Sequence, residues 1–278
     1  TFLAKGALMT GKIKINYSIN EKNIDTTHFH NDYEIIFVKK GSSNFYVGGK
    51  NYSAHENSLI LLSNLEKHSM SITSTPYEKY VILVDRLYIP DQISSEIYSK
   101  IFQKRPVDFP YVFYFNKKVI KRIKEILNAL MDEQEDDILT KEYSNVLLGE
   151  LMILIYRSNL NYFNRKISDF DDIILNIQTF IAKNYSQEIS LELMEKKFYI
   201  SKFQISRSFK DVTGYNFKTY LILVRLSAAK DLLVHTTKAV HEITYEVGYS
   251  SENLFIRMFK QYEGMTPSKY RKNFKSFN

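Results

Sequence analysis

Ser201-Lys-Phe-Gln-Ile-Ser-Arg-Ser-Phe-Lys210 and Ser251-Glu-Asn-Leu-Phe-Ile-Arg-Met-Phe-Lys260 stand 50 residues apart, inside a segment, 189–271, that repeats itself. Ser201, Arg207, Phe209, Lys210, Gly214 and Tyr220 recur as Ser251, Arg257, Phe259, Lys260, Gly264 and Tyr270. Six identities in twenty gapless positions mark a duplication. Each copy reads as two short helices joined by a tight turn. In the second, Ile243 and Val247 lie at i, i+4, then Gly248-Tyr249-Ser250 breaks the period and Ser251 caps the next helix. In the first, 191–197 leads through Phe198-Tyr199-Ile200 to Ser201. Phe198 stands in the place of Gly248, so this turn is predicted to form without glycine.

The second helix of each copy has two faces. Ile205, Phe209 and Val212 form one apolar stripe, predicted to be buried, which turns Phe203, Ser206, Arg207 and Lys210 outward. In the second copy Phe255, Phe259 and Tyr262 are the predicted buried set, with Asn253, Ile256, Arg257 and Lys260 outward. Cation, small polar group and apolar side chain together suit a major groove: Arg meets guanine or phosphate, Asn meets adenine, and an apolar group meets the thymine methyl. One such helix alone reads as an ordinary solvated face. Two in a duplicated helix-turn-helix frame, on a net basic chain, favour double-stranded DNA.

The residues from Ser201 to Lys210, with Gly214, Tyr220, Arg225-Leu226, Ala229, Leu232-Leu233, Ile243, Val247-Gly248-Tyr249, Phe255, Arg257, Phe259-Lys260, Gly264, Thr266-Pro267-Ser268, Tyr270 and Arg271, resemble the DNA-binding region of the AraC/XylS family of bacterial transcription regulators. Met194 and Thr244 depart from the alanine usual in that pattern. The resemblance implies that Lys202, Phe203, Gln204, Ser206 and Arg207, with Glu252, Asn253, Ile256 and Arg257, contact bases or phosphates. It also implies an activator with a cupin-like sensor domain, a small-molecule effector and a homodimer, and it allows RNA polymerase as a further partner.

Composition agrees. The net charge of +7 divides as +2 over 1–170 and +5 over 171–278, so the basic excess follows the duplicated segment. The absence of cysteine excludes disulfides, thiolate metal sites and a catalytic thiol, and fits a cytoplasmic protein. No apolar run approaches the ~20 residues that span a bilayer, and no basic-then-apolar signal opens the sequence, so no membrane partner is expected.

Ahead of the duplication, 12–19, 33–39, 44–47, 52–54, 58–62, 69–72 and 79–84 read as short strands, with Gly41 and Gly48-Gly49 as turns. Many short strands with tight turns predict a sandwich or barrel over 11–90. The run 111–115 is placed to close the sheet, and 91–104 reads as a surface helix. His28-x-His30-x3-Glu34-x6-Gly41 resembles the first motif of cupin barrels, where such groups can hold a metal. The second motif is poor, with no Pro-x-Gly before His68 and Asn57 in the place of a glycine. On a strand, His28 and His30 would share one face with Glu34. His30, Glu34, Tyr46 and His68 are the candidate effector contacts. No metal or other cofactor is assigned, because nothing in the sequence fixes a complete ligand shell.

Val119, Ile123, Ile126 and Leu130 then stripe a helix at 117–131, and a second helix at 140–156 is apolar nearly all round from 146 to 156. That excess of apolar surface asks for a partner, with Met152 and Ile155 read as outward positions. Residues 157–171 lose periodicity and gather Asn and Ser, the composition of a linker. The expected chain is multidomain α+β: a cupin-like sensor and dimerisation domain over 1–160, a linker over 161–171, and an all-α domain over 172–278 with two helix-turn-helix motifs joined by a long helix through Ile222, Leu226, Ala229 and Leu233. Two rival readings are a metal-dependent cupin enzyme with a helical appendage, for which no nucleophile motif or phosphate loop is present, and a regulator controlled by its abundance without a ligand.

Overall fold

The computed structural model describes residues 3–10, 13–20, 30, 32–85, 88, 95–103, 105, 109–133, 137–164 and 169–274. The chain divides into two compact units, Thr1–Ile167 and Ser168–Asn278. Among the described residues no helix is long and apolar enough to cross a membrane.

The first unit is built on one antiparallel sheet of seven strands: β1 (Leu3–Thr10), β2 (Ile13–Asn20), β3 (Tyr33–Val47), β4 (Lys50–Ala54), β5 (Leu59–Leu62), β6 (His68–Val84) and β7 (Val112–Phe113). Their order is β1-β2-β6-β3-β5-β7, with β4 paired to β3. Alternation gives the sheet two apolar faces. Ile35, Phe37, Leu59, Leu61, Ile82 and Val84 pack outward against three helices, α1 (Ser95–Phe102), α2 (Lys117–Asp132) and α3 (Ile138–Ser158). Ile36, Val38, Phe45, Val47, Ile60, Leu62, Tyr77 and Val81 form a second cluster on the inner face.

Two expectations change here. Gly41 is not a turn: β3 runs through it, and 69–72 and 79–84 are parts of the single strand β6. The register between β3 and β6 shifts at Val38/Lys40, Lys40/Ser42 and Ser42/Ser43, so the inner set changes from even numbers (Ile36, Val38) to odd (Phe45, Val47). A bulged strand loses its period-two pattern locally, which reads as a loop in sequence. The segment expected as a surface helix is instead half core, since Tyr98, Ile101 and Phe102 of α1 are buried and Phe102 stacks on Tyr33 at 4.5 Å.

After α3 a short helix, α4 (Leu160–Phe163), places Phe163 in the first unit's core, 5.4 Å from Tyr156 and 5.8 Å from Phe113. Phe163 lies inside the segment that reads as linker; a helix of four residues is too short to show a period.

The second unit is all helical: α5 (Asp169–Asn184), α6 (Leu191–Phe198), α7 (Lys202–Thr213), α8 (Phe217–His235), α9 (Val240–Glu246), α10 (Glu252–Glu263) and α11 (Pro267–Phe274). The duplication is visible in its end caps. Ser201 Oγ accepts from Gln204 N–H at 3.3 Å and Ser251 Oγ from Leu254 N–H at 3.5 Å, while α7 and α10 both stop at a left-handed glycine, Gly214 and Gly264. Beyond each stop the chain turns into a helix whose tyrosine meets the buried phenylalanine: Tyr220 on Phe209 at 5.0 Å, Tyr270 on Phe259 at 5.5 Å. Met194 and Thr244, the two departures from alanine, are both fully buried, and the Thr244 hydroxyl is satisfied by the Val240 carbonyl at 2.9 Å.

Gly41 has φ +83, and a Cβ there would lie 2.7 Å from the Pro76 carbonyl oxygen and 2.8 Å from that of Ser74. Gly41→Ala is therefore expected to lower stability by at least about 2 kcal/mol, the left-handed cost plus displacement of the β6 backbone. Gly49→Ala, at φ +80 with nothing within 4 Å, carries only the first cost. Denaturant midpoints of the two variants check this; equal midpoints would remove the close-approach argument.

Candidate nucleic-acid interface and histidine cluster

Each helix-turn-helix motif presents its second helix from a frame of buried aromatics. Ile205 and Phe209 anchor α7, and Phe255 and Phe259 anchor α10, all fully buried. The third residue of each predicted stripe is less covered: Val212 is 36% exposed and Tyr262 is half-buried. Each sits near the end of its helix, where the core falls away. Arg207, Lys210, Gln204, Asn253, Arg257 and Lys260 are exposed, and Phe203 is 77% exposed. Ser206 is half-buried. Ile256, expected outward, is half-buried and packs on the second unit's core.

Two candidate contacts are engaged within the protein. The Lys202 ammonium pairs with Glu192 of α6 at 3.0 Å, and its backbone N–H donates to Glu195 at 3.0 Å, which ties the start of α7 to α6. Glu252 is half-buried in the first turn of α10, where a carboxylate complements the helix dipole.

The first turn is made by Tyr199, in left-handed geometry at φ +56, rather than at the Phe198 position. Its repeat partner Tyr249 is buried and Tyr199 is 93% exposed, so the duplication misleads at this residue. A bare aromatic ring at the apex of the turn is a surface feature that the alignment of the two copies does not reveal.

Between the two helix-turn-helix motifs lies a cleft of about 650 Å³ whose lining includes Ser206, Lys218, Arg225, Leu254 and Arg257. Its walls are fixed by one loop. The Arg225 guanidinium, on α8, donates to the carbonyls of Tyr185 and Gln187, both at 2.8 Å, and lies 5.6 Å from the Tyr249 ring. Gly248 packs against Ser186 of that loop so tightly that a Cβ would stand 2.7 Å from its carbonyl oxygen. Arg271 ties the other end of α8 in the same way, donating to the Leu233 carbonyl at 3.1 Å and the Lys238 carbonyl at 2.5 Å. Both arginines belong to the sequence signature, and both are structural.

In the first unit, His30, Glu34 and His68 come together. Glu34 alternates with Ile36 on the inner face of β3, and His68 begins β6 opposite inward-facing Val47. His30 precedes β3 rather than lying on a strand, and His28 lies outside the described residues. His30 Nε2 is 3.0 Å and His68 Nε2 3.4 Å from Glu34 Oε2. Each imidazole donates its Nδ1–H to a backbone carbonyl, His30 to Asp32 at 3.0 Å and His68 to Glu66 at 2.9 Å. Burial works to raise the Glu34 carboxyl, but the hydrogen bond with His30 and the charges of His30, His68 and Lys79 outweigh it and hold the group at about 2. Burial in turn lowers the Lys79 ammonium. Tyr46 does not join the cluster: it is 49% exposed and alternates with inward Phe45 and Val47, so it faces out of the sheet.

A family model described as a helix-turn-helix domain matches residues 194–273, and one described as an AraC-like ligand binding domain matches 21–148. The uncharacterized HTH-type transcriptional regulator YdiP of Escherichia coli K12 is 26% identical over 253 residues, covering 90% of this chain and 82% of its own. The HTH-type transcriptional activator RhaS of Escherichia coli is 22% identical, covering 88% of this chain and 86% of its own. Among solved structures, ToxT of Vibrio cholerae superposes with a TM-score of 0.65 at 15% identity over 95% of this chain and 100% of its own. Wild-type ToxT bound to an unsaturated fatty acid superposes at 0.62 with 17% identity, over 94% and 95%.

Because Arg225 supplies the donors for two loop carbonyls, Arg225→Met is expected to destabilise the second unit by roughly 1.5–3 kcal/mol, the worth of hydrogen bonds from a charged group. Thermal or urea unfolding followed by circular dichroism checks it. An unchanged transition would show the clamp to be incidental.

Proposed function

The chain belongs to the AraC/XylS family of DNA-binding transcription regulators, and we propose that it acts in the cytoplasm as an activator, gripping duplex DNA with both helix-turn-helix motifs in response to a small-molecule effector. One observation carries the reading: α7 and α10 are capped alike and anchored alike, and they turn Arg207 and Arg257 outward from equivalent positions on a basic unit. Phe203, Gln204 and Ser206 beside Arg207, and Asn253 and Ile256 beside Arg257, supply the mixed polar and apolar surface that reads base edges. Lys202 and Glu252, held at the helix starts, position rather than read. Activation follows the similarity to RhaS, and it makes RNA polymerase the natural second partner. No catalytic step is assigned to the chain.

The effector belongs to the N-terminal unit, where the match to a ligand-binding domain coincides with a buried polar cluster beside the apolar set of the inner face. His30, Glu34 and His68 are the proposed contacts. Tyr46, which faces out, is at most a rim residue.

A homodimer is supported by α3. Leu147, Leu148, Leu151, Met152 and Ile155 are buried in the core where α3 packs on α1 and α2, so Met152 and Ile155 are core rather than outward positions. The opposite side nevertheless exposes Leu139, Tyr143, Val146 and Ile153 at helical spacing, with Leu139 76% exposed. Glu150 interrupts this stripe, and Arg122 of α2 neutralises it with two bonds of 2.6 and 2.7 Å. A second copy of the same face is the partner that fits a self-complementary apolar stripe.

Arg207→Ala and Arg257→Ala are each expected to weaken operator binding by about 1–3 kcal/mol, and raised salt should weaken the wild type steeply. Footprints on a regulated promoter that stay unchanged in both variants would sink the assignment. For the dimer, Val146→Glu combined with Ile153→Glu is expected to give a folded monomer where the wild type sediments as a dimer. A wild-type monomer, or a variant that remains dimeric, would overturn the interface.

A further inference from the structure

We propose that Lys79 and Ser18, side by side on the inner face of the sheet, hold the charged end of a small organic monocarboxylate, which gives the effector of the N-terminal unit a chemical class. The proposal rests on the effector reading above and assigns contacts outside the His30, Glu34 and His68 cluster. Register places the pair. Ser18 of β2 lies directly opposite Lys79 of β6, and Lys79 opposite Val38 of β3, so the three side chains form one row across the strands. Val38 belongs to the inner cluster, and so do Tyr77 and Val81, two positions to either side of Lys79. Directly opposed residues share a face, so Ser18 and Lys79 both point inward.

Neither has a good partner within the chain. The Lys79 ammonium carries three donors, and its hydrogen-bonding neighbour among the described residues is the Met70 thioether, Nζ to Sδ 3.8 Å. A thioether is a weak acceptor. The Glu34 charge acts on Lys79, but the Glu34 carboxylate is taken up by His30 at 3.0 Å and His68 at 3.4 Å. Burial lowers the Lys79 ammonium in spite of that charge. Ser18 is 7% exposed, and its hydroxyl is buried without a hydrogen-bond partner. A cation and a hydroxyl held together in a core, with no anion between them, are costly unless something else supplies the acceptor.

The pair also limits what that acceptor can be. One ammonium balances one negative charge, and Glu34 on the same face repels a second, so a carboxylate fits where a doubly charged phosphoryl group does not. A carboxylate offers two oxygens, one for each donor. Around the pair the surface is apolar. Met70 and Lys79 lie nine positions apart on β6, about 30 Å on a straight strand, so their contact shows that β6 bends and that its two halves border the same space. Phe45, Met70, Ile72 and Tyr77 line that space beside Val38. Met70, Ile72 and Lys79 are only half-buried, which leaves surface for the body of the acid to cover. That body is an aliphatic or aromatic group.

The test uses the full chain with methyl-labelled methionine, titrated with 4-phenylbutyrate and with octanoate, each against its primary amide. The Met70 signal is assigned through Met70→Leu. Each acid is expected to shift the Met70 signal and to bind at least about tenfold more tightly than its amide. Lys79→Met is expected to abolish that preference, and Ser18→Ala to reduce it. Without ligand, Lys79→Met is expected to raise the melting temperature of the N-terminal unit, because it removes a charge that lacks a counter-ion. Three results would overturn the proposal: a Met70 signal indifferent to both acids, amides that bind wild type as well as the acids do, or a Lys79→Met variant that melts lower or keeps the acid preference. The first two need no variant and so decide the matter even if Lys79→Met fails to fold. Acid that binds at Met70 yet leaves operator affinity unchanged would instead count against the effector reading and leave the site in place.

Discussion

The geometry of the DNA-binding unit depends on one junction, the loop Tyr185-Ser186-Gln187. Arg225 reaches it from the long helix α8, and Gly248 closes on it from the second turn. Three parts of the unit therefore meet within a few ångströms: the entry to the first helix-turn-helix, the connecting helix, and the turn of the second. Hydrogen bonds from a charged donor to carbonyls are strong and directional, and the close backbone approach leaves no room for adjustment. A protein that reads DNA with two helices needs their relative placement fixed, or the DNA must bend to meet them. Arg225 fixes that placement through two backbone carbonyls of the loop.

The duplicated segment was legible from sequence because duplication amplifies weak signals. A serine cap, a buried phenylalanine and a terminal glycine are each common; repeated at a constant offset they specify a unit. The same symmetry misled where the copies diverge. Tyr199 and Tyr249 align, yet one turns on a left-handed tyrosine that projects into solvent and the other on glycine with the tyrosine packed inward. Val212 and Tyr262 fit the helical period, but a period says only which side a residue faces, not how far the core extends beneath it. Arg225 and Arg271 were visible as signature residues, while their bonds to distant carbonyls carry no local trace in the sequence.

In the N-terminal unit the strands were legible and their continuity was not. The alternating pattern fails between Val38 and Ser43 because the backbone bulges there, and the reader of a sequence cannot tell a bulge from a turn. Helix α3 shows a related difficulty. Its apolar residues lie on two sides, one packed on the neighbouring helices of the core and one open, and from sequence both merge into a helix that is apolar all round. That is why Met152 and Ile155 read as outward and prove to be core.

The bulge also explains why the polar cluster exists. Glu34 and Val47 both belong to β3 and their positions differ by an odd number, so in an uninterrupted strand they would face opposite sides of the sheet. His68 lies directly opposite Val47 and shares its face. Without the shift between Val38 and Ser43, His68 and Glu34 would be divided by the sheet. With it, both turn to the inner face and approach to 3.4 Å. Gly41, pressed against the backbone of Ser74 and Pro76, is the residue that allows the shift. The glycine of the sequence motif and the histidine pattern are thus one device: the first changes which side the strand shows, and the second uses the side so gained.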